Sequence, residues 1–139
     1  MVFIFDDEGV FDASLERVWR FMRVHKDYPH PHHINASREG LGENSYISNY
    51  EFKSEGLAIR IKYKGTLHPP LGLAMDFVGG TFEGSKLFQY FSPASGKTRV
   101  TIVGYLVSPS LSEDEACKAF SRFGETDFEE DQVAISKLD

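Results

Sequence analysis

Three histidines fall within a stretch of four residues, His30, His32 and His33, with His25 just upstream. Imidazole nitrogens bind zinc, copper and nickel, and they exchange protons near neutral pH. The spacing matches neither a zinc finger nor the His-Glu-x-x-His helix of a metalloprotease. No cysteine is near, and Asp27 is the one carboxylate close by in the chain. His30, His32 and His33 therefore form a candidate metal set. The simpler alternative is a surface loop that happens to be rich in histidine.

The second candidate is aromatic. The chain carries 12 Phe, 6 Tyr and 1 Trp, enough bulky apolar material for the walls of a pocket as well as a core. Tyr50, Phe52, Tyr63, Phe88 and Tyr90 lie in strand-like segments, Phe120 and Phe123 on a C-terminal helix, and Trp19 on an early one. Read functionally, they wall a ligand pocket in which tyrosine hydroxyls orient the occupant. Read structurally, they fill a core that any chain of this size needs. Asp127 and Asp131 belong with them if they point inward, since a buried carboxylate has a raised pKa suited to general acid–base work. A solvated helix face is the plainer reading of both. Cys117 sits in the first turns of the same helix with no histidine to pair with, and it reads as structural. Gly79, Gly80 and Gly84 lack the spacing and context of a phosphate loop, and no Gly-x-Ser-x-Gly elbow occurs.

These residues need elements to hold them. Residues 2–11 read as a first strand interrupted at Asp6–Gly9 by a bulge or turn. Ser14 is a helix N-cap, and Leu15, Val18, Trp19 and Met22 form one apolar face behind it. Lys26 to His33 holds Pro29 and Pro31 and reads as a loop or distorted turn. Strands then dominate from about 35 to 108. In the clearest, Leu57, Ile59, Ile61, Tyr63 and Leu67 face one way, and Arg60, Lys62 and Lys64 the other. Residues 46–52 alternate likewise, and Ser54-Glu55-Gly56 marks the hairpin between the two. His68-Pro69-Pro70 breaks the ladder, strand character resumes over 71–78 and 81–91 around Gly79-Gly80, and Pro93–Lys97 turns into a β-branched last strand over 98–107. Ser112-Glu113-Asp114-Glu115 is a capping box that opens the final helix. Its apolar stripe, Ala116, Phe120 and Phe123, fits less well beyond Gly124, where the phase turns Asp127 inward. A kink near Gly124 is one way to reconcile the two halves.

Strands in sequence with helices set apart at the ends mean α+β. The 139 residues fit one domain, 1–139. A net charge of −6 argues against a nucleic-acid partner. It also disfavours an anionic membrane surface, and no run is long enough to insert in a bilayer. One cysteine allows no intrachain disulfide, and the N-terminal residues lack the pattern of a signal peptide, so a cytoplasmic location is expected.

Four stretches carry a family resemblance. They are Phe11-Asp12-Ala13-Ser14-Leu15-Glu16-Arg17-Val18-Trp19, Gly80-Thr81-Phe82-Glu83-Gly84-Ser85, Gly96-Lys97-Thr98-Arg99-Val100 and Phe128-Glu129-Glu130-Asp131. In order and spacing the chain resembles the START-like (SRPBCC) superfamily, the helix-grip fold. The resemblance implies a curved antiparallel sheet of six to seven strands wrapped around a long C-terminal helix, with short helices after the first strand and an apolar cavity between. It implies a small hydrophobic molecule as partner, bound or transported in that cavity, and no cofactor. The superfamily hosts several functions on one scaffold, so two others stay open: an enzyme of the polyketide cyclase, aromatase or dehydratase type, using Tyr50, Tyr63, Tyr90 and Asp127, or an interaction module without a ligand. Two or more convergent ionisable groups in the cavity favour the enzyme, a purely apolar cavity the carrier. The region of the histidines often lies at the cavity mouth in such proteins. Exposed strand edges leave a homodimer open, though nothing in the sequence requires one.

Overall fold

A computed structural model describes residues 1–24 and 30–138. Of the irregular stretch expected from Lys26 to His33, residues 26–29 lie outside the described residues, as does His25. The elements run β1 (Val2–Phe11), α1 (Leu15–Val24), β2 (His33–Gly40), β3 (Ser45–Ser54), β4 (Leu57–His68), β5 (Gly72–Gly80), β6 (Lys86–Ala94), β7 (Lys97–Leu106) and α2 (Glu113–Ser136). The seven strands form one antiparallel sheet in the order β1-β7-β6-β5-β4-β3-β2. Strands β2 to β7 are a continuous meander, and its last strand, β7, comes to lie beside β1, which forms the edge opposite β2. This open sheet with a long C-terminal helix is the helix-grip arrangement.

Local chemistry accounts for most boundaries. The register of β1 slips between Asp6 and Gly9, so the acidic interruption is a bulge inside one strand. The Arg17 N–H donates to Ser14 Oγ at 3.2 Å, which caps α1. At the β6–β7 turn Ser95 and Gly96 have φ of 52° and 81°, the two positive values of a type I′ hairpin, whose twist matches the strands. Ser112 and Glu115 exchange backbone-to-side-chain hydrogen bonds of 3.1 Å, completing the capping box of α2. The alternation along β3 and β4 buries Tyr46, Ser48, Tyr50 and Phe52 on one strand and Ile59, Ile61 and Tyr63 on the other.

Residues 81–85 depart from the strand that their residues suggest and agree instead with the resemblance of Gly80–Ser85 to a mid-sheet hairpin. They form the connection between β5 and β6, and β6 begins only at Lys86. Phe82 turns inward from this connection and is fully buried.

The core has two parts. One joins the inner faces of β3, β4 and β5 to Ala116, Ala119 and Phe123 of α2. The other joins Val18, Trp19 and Phe21 of α1 to Phe11, Phe91, Val100 and Ile135. Thr98 ties this second part together, since its fully buried Oγ1 donates to the Ala13 carbonyl at 2.9 Å. Thr98→Val keeps the shape and removes the donor. It should lower unfolding stability by about 1–3 kcal/mol, read as a reduced urea midpoint. An unchanged midpoint would show that the bond contributes nothing net.

Helix α2 is continuous through Gly124. Its inward face is filled by Phe123 at one end and by Ile135 at the other, both buried. Between them Gly124, Asp127, Phe128 and Asp131 recur at helical spacing, and this stretch offers too little apolar bulk to fill the gap to the sheet.

Candidate functional site

The gap is a cavity of about 510 Å³ between α2 and the inner face of the sheet. A volume of this size holds a small organic molecule. Tyr50, Tyr63, Leu73, Met75, Ile102 and Phe123 supply much of its apolar wall. Ser48 and Gln89 add uncharged polar groups, and His30, His33, Arg38, Asp127 and Asp131 gather charge along the same lining. A second cavity, of about 430 Å³, lies against β1 and β7 and shares Ile102, Phe120, Gly124 and Phe128 with the first. Cys117 lines this second space.

The histidines stand against α2. His33 opens β2, and its ring stacks on Tyr50 at 3.7 Å and on His30 at 4.3 Å, all three nearly parallel. Asp127, Glu130 and Asp131, at positions i, i+3 and i+4, share one face of α2. The His33 Nε2 lies 2.9 Å from Asp127 Oδ1, and the His30 Nδ1 2.7 Å from Glu130 Oε2. Since an ionised carboxylate only accepts, each ring nitrogen is the donor. His32 donates from Nδ1 to the other oxygen of Glu130. His30, His33 and Glu130 are largely shielded, with side-chain exposures of 8%, 11% and 13%. One donor atom from each of His30, His33, Asp127 and Glu130 falls within 4.8 Å of all the others.

The electrostatics are strained toward negative charge. Burial pushes the Asp131 carboxyl well above the usual carboxylate range, and the charges of Asp127 and Glu130 push the same way against the pull of Arg38. Asp131 Oδ1 is buried with no hydrogen-bond partner among the described residues, 3.4 Å from His30 Nε2. Burial likewise holds the Tyr50 and Tyr63 phenols well above their ordinary value, so both are neutral hydroxyls at physiological pH. The Tyr63 hydroxyl lies 3.4 Å from that of Tyr46, and the Arg38 guanidinium covers the Tyr46 ring at 4.0 Å. In a neutral His33, donation from Nε2 to Asp127 leaves Nδ1 as the basic nitrogen.

Of the expected ligand residues, Tyr50, Tyr63, Phe120, Phe123 and Asp127 line this cavity. The others lie elsewhere. Phe52 is fully buried beneath it, edge-on to Phe123 at 5.2 Å. The Trp19 indole donates to the Pro70 carbonyl at 3.1 Å and meets Phe91 edge-on, fastening α1 to the sheet. Phe88 and Tyr90 flank Gln89, and because Gln89 faces the cavity, strand alternation turns both to the opposite face. Tyr90 is 40% exposed there.

Sequence reasoning missed Glu130, Arg38, Ser48 and Gln89. Ser48 had a signal, being polar at an inward position of β3. Glu130 had one too, since it lies one helical turn from Asp127. Among the described residues, the carboxylates facing the histidines come from α2, about a hundred residues along the chain.

No family model matches the chain, and no curated protein matches it significantly. Solved structures do. The Zhui aromatase/cyclase from a Streptomyces species superposes with a TM-score of 0.72 at 10% identity, over 98% of this chain and 94% of that one. Ara h 8.0201 does so with a TM-score of 0.69 at 11% identity, over 99% of both chains. A START superfamily protein from Mycobacterium smegmatis gives 0.67 at 11% identity, again over 99% of both. Likeness at these identities establishes a START-like fold and leaves activity open. No helix among the described residues is long and apolar enough to cross a membrane.

Proposed function

We propose that this chain binds a small molecule with a largely apolar body and one polar end, held between the sheet and α2. The observation that carries this reading is the cavity of about 510 Å³, with apolar walls and its charged groups gathered along α2 and β2. The body of the ligand packs on Tyr63, Leu73, Met75, Ile102 and Phe123. Its polar end meets the Tyr50 hydroxyl and the His33–Asp127 pair. Residues 1–139 act as one domain in this reading. A filled interior would have favoured an interaction module, and a cavity of this size lends that alternative no support.

The cavity is not purely apolar, and the convergence of His30, His33, Asp127 and Asp131 on it favours an enzyme as a second reading. The His33–Asp127 contact is a carboxylate-oriented imidazole that lines the cavity, an arrangement suited to moving a proton to or from a bound molecule. One of the structural relatives is itself an aromatase/cyclase.

Native mass spectrometry of untagged protein, compared with its denatured mass, tests the binding reading. A reproducible extra mass of small-molecule size, lost on denaturation, is the expected result. If the native and denatured masses agree, and a panel of apolar hydroxylated and keto compounds at saturating concentration also leaves no adduct, the reading fails. Turnover of a captured compound by wild type but not by His33→Gln would move the assignment to the enzyme.

A further inference from the structure

The geometry points to a divalent transition-metal site of the zinc class, built by His30, His33, Asp127 and Glu130 at one end of the cavity. The inference deepens the ligand reading, since His33 and Asp127 serve both, and a bound metal would be what the ligand's polar end meets. Four donors from separate parts of the chain converge: His30 from the segment before β2, His33 from the start of β2, and Asp127 and Glu130 from adjacent turns of α2. One atom from each already lies within 4.8 Å of the rest. Around a tetrahedral zinc, with bonds of about 2.0–2.1 Å, donors stand about 3.4 Å apart. Small side-chain adjustments close that difference, and the ring stack on Tyr50 holds His33 in place for it.

Charge supports the assignment as well as spacing. Asp127, Glu130 and Asp131 crowd one helical face, and Asp131 Oδ1 is buried beside His30 with no hydrogen bond among the described residues. A dication among them offsets repulsion that the protein groups leave in place. Donor chemistry narrows the ion. Two imidazoles with two carboxylates disfavour calcium and magnesium, which prefer all-oxygen shells, and the absence of thiolate disfavours copper(I). His32 bonds the second oxygen of Glu130 and so orients a ligand without being one of the four.

The test is titration of untagged, chelator-treated protein with Co²⁺ alone, followed by visible absorption, and with Zn²⁺ in competition. Wild type should take up one Co²⁺ per chain, with the intense visible bands of a low-coordinate nitrogen–oxygen site, and Zn²⁺ should displace it. Both Asp127→Asn and His33→Ala should weaken binding at least tenfold and abolish the bands, whereas His68→Ala, outside the cluster, should keep them. Circular dichroism of each metal-free variant checks folding. Should His33→Ala not fold, the near-isosteric Asp127→Asn decides the question alone. The inference is overturned if wild type shows no such bands, or if binding persists unchanged in Asp127→Asn.

Discussion

Gly124→Phe should remove most of the binding capacity of the central cavity while leaving the fold intact. Gly124 lies in the wall shared by both cavities, and a Cβ placed there meets nothing within 4 Å. A benzene-sized group occupies a cavity of about 150 Å³, and from Gly124 it would stand in the wall where the two cavities meet. The substitution also replaces the poorest helix former apart from proline, so the helix itself gains a few tenths of a kcal/mol. Fluorescence of 1-anilinonaphthalene-8-sulfonate offers a readout that does not require knowing the natural ligand. The variant should bind the dye at least tenfold more weakly than wild type. Gly124→Ala is the partner experiment, expected to keep the dye and to raise stability by about 0.5–1 kcal/mol. Equal dye binding in wild type and Gly124→Phe would mean that the volume beside Gly124 is not where apolar molecules go.

Phe82→Ala should cost about 3–5 kcal/mol against a typical total stability of about 5–15 kcal/mol. Phe82 has no solvent exposure, though it comes from a turn. Its ring meets Phe77 edge-on at 6.1 Å and Phe120 edge-on at 5.5 Å, and Phe120 in turn meets Phe123 at 5.9 Å. It therefore plugs the end of the core where the β5–β6 connection approaches the first half of α2. Deleting it opens a hole lined by rigid rings that cannot close over it. Urea unfolding measures the loss, and Phe82→Leu, which keeps most of the volume, should lose well under half as much. A loss below about 1 kcal/mol for the alanine variant would show that the turn collapses to fill the space.

Both predictions concern residues whose importance the sequence does not display. Gly124 reads as a flaw in an amphipathic helix, and the apolar stripe beyond it loses its phase. The structure shows why: on the helix face turned to the sheet, Gly124, Asp127 and Asp131 supply little bulk, and the space they leave is the cavity. A pattern search for burial sees only a helix that fits poorly there. Phe82 reads as one more aromatic in a strand, because a turn residue folded back into the core carries no periodic signal. Phe88 and Tyr90 fail for the opposite reason. The parity of β6 depends on where the connection ends, and without that boundary either face is equally consistent with the residues.

Local interactions were legible. The alternation of β4 from Leu57 to Leu67, the Ser14 and Ser112 caps and the Ser95-Gly96 hairpin each depend on residues within a few positions of one another. Short-range sterics and backbone hydrogen bonding decide such features wherever the segment sits. The order of those elements indicated an α+β fold, and their resemblance to the START-like superfamily implied the helix-grip architecture. The histidines at 30–33 were visible as a composition, and Asp127 as an inward phase. What joined them was the crossing of α2 over the start of β2, which brings together groups 94 to 100 positions apart. A contact of that kind is set by how two surfaces pack, and packing is a property of the whole chain. The sequence by itself determined the elements and their order. Only the tertiary structure decided that the histidines face carboxylates, and that a gap was left beside them.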